Sequence, residues 1–385
     1  MINPSIPLWK PHPATPAKRP IDGMHVDVAI IGAGITGLTA ATLLRERGRS
    51  VAVLEDRGVA AGETGHTTAH ITEAIDARYH SLKRRFGLDH AKVIAQTLQA
   101  AMAGIEAQVR NRSIDCGFRR LPGYLFTEQR GQVSQLKSEA SAAKEAGVAA
   151  AFVAEVPLPF ATRGAVRFEN QAQFHPVAYA EGLADSLRDG LFLGVHVDAV
   201  EDGQPCTIET NAGRMTAGSV FVATNSPLND VFASGLKIAA YRSYVLAAPW
   251  KGQQPDGLFW DTEDPYHYIR WQDEFVIVGG EDHKVGQESE TTECLERLRS
   301  WMDARVPGLE PSYRWSGQII ESSDGLPFIG LQAGKSHVYI ATGFAGQGMT
   351  FGTYGAMLVA DLITGAQSDL STEAAKIFNP SRLAV

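Results

Sequence analysis

The residues with the clearest chemical meaning are three glycines close to the N-terminus. Residues 32–37 read G-A-G-I-T-G, which places Gly32, Gly34 and Gly37 at the spacing G-x-G-x-x-G. In a nucleotide-binding turn the first glycine permits a tight bend, the second lets the backbone approach a pyrophosphate, and the third lets the next helix pack closely. Glu55 follows about 20 residues later, where a carboxylate can accept hydrogen bonds from an adenosine ribose. Together these residues predict a dinucleotide site.

The segments around this turn have the pattern needed to position it. Residues 25–31 form a nearly continuous apolar run, typical of a strand buried on both faces, and residues 35–47 have apolar side chains at helical spacing. Residues 50–54 are a second buried strand, so the three segments predict a β-α-β unit. Its helix would direct unpaired N–H groups and a positive dipole end towards the phosphates.

Length and composition indicate two domains built around one ligand. The chain has 385 residues, of which 44% are hydrophobic and 20% charged, and a formal net charge of −8. The negative charge argues against nucleic acid or an anionic membrane as a partner. No run approaches the ~20 apolar residues of a membrane span, and the N-terminus lacks the pattern of a signal peptide, so we expect a cytoplasmic protein.

The three cysteines do not suggest a metal centre. Cys116, Cys206 and Cys294 lie far apart in the chain and form no C-x-x-C pair. An odd, sparse set of cysteines suits a reducing compartment. We predict buried structural thiols and no metal site.

Strand and helix patterns alternate along the rest of the chain. Helical patterns cover 90–110, 133–146, 177–188, 291–305 and 346–364, and strand patterns cover 123–127, 165–168, 238–249, 275–279 and 338–341. Residues 191–225 are predicted to form strands and hairpins that end in the apolar run 219–223. Because both chain ends combine strands with helices, we predict an α/β fold in which the two ends build one domain around an inserted, mostly β segment. The predicted limits are 1–88, 160–232 and 322–385 for the dinucleotide domain, and 89–159 and 233–321 for the substrate (cap) domain.

Four segments resemble the glycine/D-amino-acid oxidase (DAO) family of flavoproteins, over nearly the whole chain. They are residues 62–70 (GETGHTTAH), 174–176 (FHP), 221–225 (FVATN), and 324–330 (DGLPFIG) together with 341–349 (ATGFAGQGM). The resemblance implies FAD as the cofactor and a Rossmann-type, glutathione-reductase-like FAD-binding domain with an inserted substrate domain of mixed β-sheet plus helices. It also implies oxidation of a carbon–nitrogen bond of a small amine, with hydride passing to flavin N5 to give an imine that water hydrolyses.

The resemblance also enlarges the set of residues expected to bind FAD. Glycines at 343, 346 and 348 would let the backbone run flat against the isoalloxazine ring. A helix beginning near Gln347 would point its positive end at the pyrimidine edge of that ring. The expected set is Gly32, Gly34, Ile35, Thr36, Gly37, Glu55, Asp56, Thr64, Gly65, His66, Thr67, Thr68, Val197, Ala223, Thr224, Asn225, Gly343, Phe344, Gly346, Gln347, Gly348, Met349 and Thr350.

A narrower resemblance bears on the electron acceptor. Residues 62–72, 278–283 and 315–330 resemble the FAD portion of flavoproteins that carry a C-terminal Rieske [2Fe–2S] domain, and residues 378–382 resemble the start of the linker to that domain. The present chain has none of the Cys/His pairs that a Rieske centre requires. It is a stand-alone form or a piece of a longer protein. Both O₂ and an electron-transfer protein remain open as acceptors.

Substrate contacts are expected from the inserted segment and from the strand before residue 322. In amino-acid-oxidising members an arginine two residues after a W-x-G triplet binds the substrate carboxylate, and that position here is Ile319, so free α-amino acids are less expected than amines. Glu321 could face a cationic group or lie at the surface. Tyr268 and Arg270 lie two apart on one strand face, where the resemblance implies a substrate cavity. The aromatic side chains that could surround an amine are Tyr241, Tyr244, Trp260, Tyr266, Tyr268 and Trp271.

Histidines and lysines leave further points open. His283 and His66 are candidates for deprotonating the ammonium group, each with a structural role as the alternative. We expect non-covalent FAD, with a covalent bond to His66 as the alternative implied by the sarcosine and dimethylglycine dehydrogenase branch. The oxygen-activating lysine of the sarcosine oxidases corresponds to Ile277 or Val278, and Lys284 is shifted by several residues, so oxidase and dehydrogenase stay open.

Three functions therefore compete. The first is an oxidoreductase for secondary or methylated amines, ahead of primary polyamines, with a D-amino-acid or glycine-type oxidase as a variant. The second is a flavin electron-transfer component that works with a separate iron–sulfur partner. The third is a flavin-binding protein with a sensing or assembly role.

Overall fold

The predicted β-α-β unit forms the centre of the first of two sheets. In the computed structural model, which describes residues 7–10, 20–226, 236–286 and 291–383, β1 (His25–Ile31), α1 (Ile35–Glu46) and β2 (Val51–Glu55) follow one another. Strand β1 lies between β2 and β10 and is parallel to both. Alternate side chains of β1 pack into two different hydrophobic cores. Val28 and Ile30 belong to one core, and Ala29 and Ile31 belong to the other. Burial on both faces explains the continuous apolar run.

The first sheet has eight strands. Its order is β16-β17-β10-β1-β2-β7, and β9 pairs with β10 and β8 as a hairpin at the side. The strands not yet described are β7 (Leu191–Leu193), β8 (Val197–Glu201), β9 (Cys206–Thr210), β10 (Gly213–Asn225), β16 (Phe328–Leu331) and β17 (Val338–Thr342). Because β1, β2, β10 and β17 are parallel, their carboxyl ends meet at one edge of the sheet.

The second sheet has nine strands and is mostly antiparallel. Its order is β15-β11-β14-β13-β12-β4-β6-β3, with β5 paired to β6. The strands are β3 (His70–Ile71), β4 (Arg119–Thr127), β5 (Ala150–Val153), β6 (Gly164–Gln173), β11 (Ile238–Pro249), β12 (Leu258–Trp260), β13 (His267–Gln272), β14 (Phe275–Lys284) and β15 (Tyr313–Ser322).

Helices cover the outer faces of both sheets. They are α2 (Tyr79–Phe86), α3 (Leu88–Arg112), α4 (Val133–Glu145), α5 (Pro176–Asp185), α6 (Thr291–Arg305), α7 (Gly348–Thr364) and α8 (Asp369–Ile377). Helix α7 packs against α1 and α3, and α6 packs against β11 and β14 of the second sheet. Within the described parts of the chain, no helix is both long enough and apolar enough to cross a membrane.

Most predicted elements occur in the structure with shifted ends, and several short ones were missed. The predicted helix 90–110 spans Leu88–Arg112, and the predicted strand 275–279 continues to Lys284. The short elements β3, β5, β12, β16, α2 and α8 were not predicted, because so few residues carry little periodicity.

Sheet membership differs from the predicted domain limits at two places. Strands β3 and β6 fall within 1–88 and 160–232, the ranges predicted for the FAD domain, but both pair within the second sheet. Helix α3, predicted in the substrate domain, packs against α7. The other limits stay a prediction.

The last described residues are fastened to the segment before β16. Arg382 forms a two-pronged ion pair with Asp324, with nitrogen–oxygen distances of 2.8 Å on both prongs. Its guanidinium also lies over the Phe328 ring, 4.0 Å from the centroid. Arg382 therefore holds the segment 378–382 against β16 and the residues before it.

Candidate active site

A large cavity lies between the two sheets. In the part of the chain that the structure describes, the cavity has a volume of about 420 Å³. The carboxyl ends of β1, β2 and β10 form one end, strands β11, β13 and β15 of the second sheet form a wall, and the start of α7 closes the other end. The loop 62–76 crosses between them. The cavity therefore stands at the carboxyl edge of the parallel strands, where α/β folds bind nucleotides.

The glycine turn has no room for side chains. Gly32 has a φ of +107°, and a Cβ on it would lie 2.8 Å from the carbonyl oxygen of Ala223. A Cβ on Gly37 would lie 1.9 Å from the carbonyl oxygen of Gly32, so this glycine sets how closely α1 packs on β1. No side chain caps the start of α1 from Gly34, and the Ile35 amide donates to Thr64 Oγ1 at 3.1 Å. The turn thus presents backbone N–H groups to the cavity.

Glu55 closes this end of the cavity. Its Oε2 accepts a hydrogen bond from the Ala33 amide at 2.8 Å, and its Oε1 accepts one from the Arg57 amide at 2.9 Å. Burial raises the pKa of Glu55, while these two hydrogen bonds oppose the rise. The carboxylate is held rigidly at the end of β2, as the spacing from the glycine turn predicts for a ribose ligand.

The other end is built around the start of α7. No side chain caps this helix, and a Cβ on Gly348 would meet no atom within 4 Å. Gln347 Nε2 donates to the carbonyl oxygen of Ala74 at 2.7 Å, and the Gly346 amide donates to Asp76 Oδ2 at 3.1 Å. The loop 72–76 and the start of α7 are therefore bound to each other at the cavity wall.

Most of the residues predicted to bind FAD line the cavity. The lining includes Gly32, Gly34, Ile35, Thr36, Glu55, Asp56, Thr64, His66, Thr67, Thr68, Val197, Ala223, Thr224, Asn225, Phe344, Gly346, Gln347, Gly348 and Met349. Four predicted residues lie behind the wall, namely Gly37, Gly65, Gly343 and Thr350. Gly65 approaches the Ala60 carbonyl and Thr350 donates to the Gln347 carbonyl oxygen, so these four shape the wall without facing the cavity.

Of the residues predicted for catalysis, Tyr268 and His66 line the cavity and Arg270 does not. Arg270 is fully buried, and its guanidinium donates to the carbonyl oxygens of Ala69 (3.1 Å) and Phe174 (3.4 Å) and to Gln272 Oε1. Burial lowers the pKa of Arg270 to about 9. The expectation of direct substrate contact is therefore corrected to a role behind the wall, where Arg270 holds the loop 62–70 to the second sheet.

His283 also lies outside the cavity. Its Nε2 is 2.9 Å from the Tyr244 hydroxyl, and its ring stacks on the Tyr244 ring at 5.7 Å. His283 follows an irregularity in the pairing of β14 with β11 and is not among the lining residues. A structural role replaces the expected role in deprotonation.

His66 is anchored within the loop 62–70. Its Nδ1 lies 2.8 Å from the carbonyl oxygen of Gly62, so Nδ1 carries the proton and Nε2 is the free ring atom. Trp315 Nε1 donates to the His66 carbonyl oxygen at 2.8 Å, and the Gln318 amide donates to Glu63 Oε2 at 2.6 Å. The W-x-G segment thus secures the loop that crosses the cavity. Covalent attachment of FAD to His66 stays an open prediction.

Several cavity residues were not singled out from the sequence. Asp76, His70, Thr72 and Ser243 line the cavity. Burial and the nearby Arg270 cation lower the pKa of His70 to about 3, and its Nε2 is buried without a hydrogen-bond partner. Burial raises the pKa of Asp76. Nothing in the local sequence marks these residues, because they meet only when the loop 62–76 folds over the second sheet.

Carboxyl groups gather near the α7 end of the cavity. Burial raises the pKa of both Glu321 and Asp282. The negative charge of Asp76 adds to the rise in both, and that of Glu321 adds to the rise in Asp282. Ile319, at the position where amino-acid oxidases have arginine, lines the cavity. Among the described lining residues Arg57 is the only arginine or lysine, and it lies at the Glu55 end. Arg78 also acts on Asp76 but is not a lining residue, so the carboxyl groups outnumber it among the described charged groups around the α7 end.

The position of the oxygen-activating lysine is apolar and buried. Ile277 and Val278 are fully buried and are not part of the cavity lining. Lys284 is exposed at the end of β14. The described residues therefore place no lysine against the cavity.

One group of potential metal ligands lies away from the cavity. Asp202, Cys206 and His337 bring their ligand atoms within 4.8 Å of one another. Both Asp202 oxygens already accept backbone hydrogen bonds, from Ser336 and His337, and burial raises the pKa of the Cys206 thiol. Since a metal needs the thiolate, this arrangement favours a structural turn, and the prediction of no metal site is kept.

Comparison with known proteins identifies the fold and its cofactor. A family model described as DAO, FAD dependent oxidoreductase, matches residues 27–362. The chain belongs to the DAO family of FAD-dependent oxidoreductases. The predicted α/β fold, with a Rossmann-type FAD-binding domain and a second, sheet-based domain, is confirmed.

Individual relatives cover most of the chain. The Rieske 2Fe-2S iron-sulfur protein YhfW of Bacillus subtilis is 30% identical over 383 residues, which are 96% of this chain and 74% of that protein. Gamma-glutamylputrescine oxidoreductase of Escherichia coli is 23% identical, over 89% of this chain and 85% of the enzyme. Glycine oxidase from Geobacillus kaustophilus has a TM-score of 0.80 at 17% identity, covering 93% of this chain and 99% of the glycine oxidase chain.

The cavity suits FAD at both ends. The glycine turn, Glu55 and the uncapped start of α1 provide backbone donors and a carboxylate acceptor for a pyrophosphate and a ribose. The open space at Gly348 and the uncapped start of α7 leave room for a planar ring beside a positive dipole end. When bound, FAD supplies a two-electron acceptor for hydride.

Proposed function

We propose that this flavoenzyme oxidises a carbon–nitrogen bond of a small cationic amine, with secondary or methylated amines and polyamines as the substrate class. The observation that carries the proposal is the acidic α7 end of the cavity. The Asp76 carboxylate is exposed to the cavity and accepts a hydrogen bond from the Gly346 amide at 3.1 Å. Desolvation raises the pKa of Asp76 and Arg78 opposes the rise. A cationic ligand in the cavity would further favour the charged carboxylate, because an opposite charge nearby stabilises it.

Aromatic side chains complete the amine site. Tyr266, Tyr268 and Trp260 line the cavity beside Asp76. Rings attract a cation through their quadrupole and remove water from it without binding it through hydrogen bonds. Free amino acids are disfavoured, because the described lining near α7 offers no guanidinium or ammonium group for a carboxylate.

The chain's own residues position the substrate and stabilise charge. Asp76 orients the ammonium group, and the aromatic rings exclude water around the carbon that loses hydride. The uncapped start of α7 places a positive dipole end where negative charge develops on the reduced ring. An E. coli relative is named gamma-glutamylputrescine oxidoreductase, and this supports an amine as the substrate class.

The test is anaerobic mixing of the FAD-loaded protein with a panel of amines, amino acids and hydroxy acids. We expect the visible absorbance band of the flavin to bleach with secondary or methylated amines or polyamines, and to persist with glycine, D-amino acids and hydroxy acids. Bleaching by amino acids alone would replace this proposal with an oxidase of the glycine or D-amino-acid type.

A second candidate function concerns the acceptor. The relative YhfW is named as a Rieske 2Fe-2S iron-sulfur protein, and this chain matches 74% of it. Together with the apolar Ile277 and Val278 at the lysine position, this favours an iron–sulfur protein over O₂ as the acceptor. The amine-reduced protein should then be reoxidised slowly in air and quickly by a ferredoxin or Rieske protein. Rapid reoxidation in air would instead assign an oxidase.

A further inference from the structure

We propose that Tyr268, Ser243 and Asp282 form a proton relay that deprotonates the substrate ammonium group. The relay rests on the proposed amine function, since it needs a cationic amine in the cavity. An ammonium nitrogen has no lone pair to assist the loss of hydride from the adjacent carbon, so the site has to remove one proton first. Neither His66 nor His283 extends from the cavity to a buried carboxyl group.

The first two members meet across a strand. Tyr268 on β13 and Ser243 on β11 both line the cavity, and their hydroxyl oxygens are 2.9 Å apart. Strand β14 runs between them, and its Gly279 is paired with Tyr268. A Cβ on Gly279 would lie 2.1 Å from Tyr268 Cε2 and 2.4 Å from its hydroxyl oxygen. The absence of a side chain at 279 is what allows the tyrosine ring to cross β14 and reach Ser243.

The third member lies behind the wall. The register between β11 and β14 shifts next to Ser243, and Glu281 has a φ of +59°, which marks a bulge that brings Asp282 to the serine. Ser243 lies opposite residues 281 and 282 in this bulge, and its hydroxyl group is close enough to the Asp282 carboxyl group to lower its pKa. The Oδ1 atom of Asp282 is buried and has no hydrogen-bond partner. Asp282 is therefore connected to the cavity through Ser243 and retains an oxygen that can take a proton.

The groups around Asp282 bring its pKa into the range that a proton acceptor needs. Burial, together with the charges of Asp76 and Glu321, raises the pKa of Asp282 to about 7, and Ser243 and His267 oppose the rise. Tyr266 and Tyr268 also face it, and burial together with this carboxylate raises the pKa of both phenols. A carboxylate whose pKa lies near the working pH is an effective proton acceptor.

The transfer conserves atoms and involves no oxidation. An ammonium N–H bond breaks, and its electron pair stays on nitrogen. The proton binds the Tyr268 hydroxyl oxygen while that hydroxyl passes its own proton to Ser243, and Ser243 passes one to the Asp282 carboxylate. The amine becomes neutral, Asp282 becomes protonated, and both hydroxyl groups are regenerated. Because the pKa of Tyr268 is raised, the transfers occur together without a phenolate.

The test is the pH dependence of flavin reduction under anaerobic conditions, with wild-type and Asp282→Asn holoenzyme. The wild-type rate should rise through about pH 7. In Asp282→Asn the rise should move to the pKa of the amine itself, about 10 for an alkylamine. At pH 7 the variant should be slower by about 100-fold or more, the contribution of a general base. Ser243→Ala and Tyr268→Phe should show the same displaced profile.

Two controls separate a relay from a structural role. An amine that is already neutral at pH 7 should reduce Asp282→Asn at close to the wild-type rate, which a merely damaged site would not allow. Asp256→Asn, on an exposed carboxylate outside the cavity, should keep the wild-type profile. In the cofactor-free protein, the infrared band of one protonated carboxyl group should titrate near pH 7 and be missing in Asp282→Asn.

The outcomes distinguish the relay from the proposed function. If wild-type flavin is reduced by amines and Asp282→Asn keeps the wild-type pH profile, the relay is overturned while the amine function stands. If no amine reduces the wild type, the amine function fails and the relay fails with it. If Asp282→Asn does not fold, Ser243→Ala decides, since it removes only one hydroxyl group.

Discussion

Buried charges beside the cavity are the main feature at the scale of single residues. The described hydrogen bonds of Arg270 go to carbonyl and amide oxygens, and none of them goes to a carboxylate. Its guanidinium carbon also lies over the Trp9 ring, 5.5 Å from the ring centroid. His70 lies next to it and remains neutral. The charge of Asp273 opposes the fall in the pKa of Arg270. A buried cation behind the cavity wall favours nearby negative charge, such as that on a reduced ring.

His70 should make stability depend on pH. Its pKa is about 3 in the folded protein, below the ordinary value of 6.5, so between these two pH values only the unfolded chain binds the proton. The contribution of neutral His70 to the free energy of unfolding is therefore largest above pH 6.5, and it decreases as the pH falls from 6.5 towards 3. In His70→Asn, the loss of stability between pH 8 and pH 5 should shrink by about 2 kcal/mol. Urea unfolding of the cofactor-free protein measures it, with the exposed His90→Asn as the control.

Asp76 should determine affinity for cations. Asp76→Asn removes the negative charge but keeps an acceptor for the Gly346 amide. The dissociation constant of a non-oxidisable cationic amine should rise by about 10- to 100-fold, as expected for a hydrogen bond to a charged group. A neutral analogue of the same shape should bind unchanged, and the exposed Glu310→Gln should behave as wild type. Equal losses for both ligands would argue against an electrostatic role.

At the scale of elements, two helix starts face the cavity from opposite ends. Helices α1 and α7 also pack against each other, so their relative position is set by side chains away from the cavity. Neither N-cap residue, Gly34 or Gln347, caps its helix with a side chain, although Thr64 Oγ1 accepts a hydrogen bond from the Ile35 amide at the start of α1. The unpaired N–H groups are left for a ligand, and helix packing sets the distance between them.

The glycines at these two helix starts should respond differently to alanine. In Gly37→Ala the new Cβ would meet a backbone oxygen at 1.9 Å, so the apoprotein should lose about 1–3 kcal/mol of stability. In Gly348→Ala the Cβ enters open space at the cavity wall, so the apoprotein should be as stable as wild type or gain up to about 1 kcal/mol. FAD affinity should nevertheless fall, because the methyl group occupies cofactor space. Thermal unfolding without FAD and FAD titration measure the two effects, and unaltered FAD affinity in Gly348→Ala would contradict the assignment of this wall.

At the scale of the whole molecule, the cavity is shared by the two sheets. Glu55 ends a strand of the first sheet, whereas Tyr268 lies in the second, and both line the same space. The loop 62–76 is bound to both sides, through Thr64 to α1 and through Glu63 to β15. A ligand that fills the cavity therefore joins the two sheets.

FAD should consequently stabilise both domains together. At a free concentration of 100 times its dissociation constant, FAD should raise the free energy of unfolding by about 2.7 kcal/mol. Calorimetry should show one transition that moves to higher temperature as a unit. FMN and ADP, each of which fills one end, should produce smaller shifts. Two transitions, of which FAD moves only one, would show that the cofactor contacts one domain alone.

The sequence alone determined the dinucleotide end of this protein. The β-α-β unit, the three glycines and Glu55 are contiguous or closely spaced, and their apolar periodicity and backbone requirements are local properties. The start of α7 was predictable for the same reason, since its glycines precede a long helical pattern. The cytoplasmic location and the choice between covalent and non-covalent FAD stay predictions.

Only the tertiary structure decided the substrate end. Tyr268 and Arg270 share one strand face, yet Tyr268 faces the cavity and Arg270 is covered by the loop 62–70. Asp76 and Asp282 come from distant segments and meet through loop packing and a strand bulge. The periodicity of apolar residues predicts which face of a strand or helix a side chain lies on. Contacts between distant segments depend instead on strand register and on the path of the loops. Both are set by the packing of the complete chain.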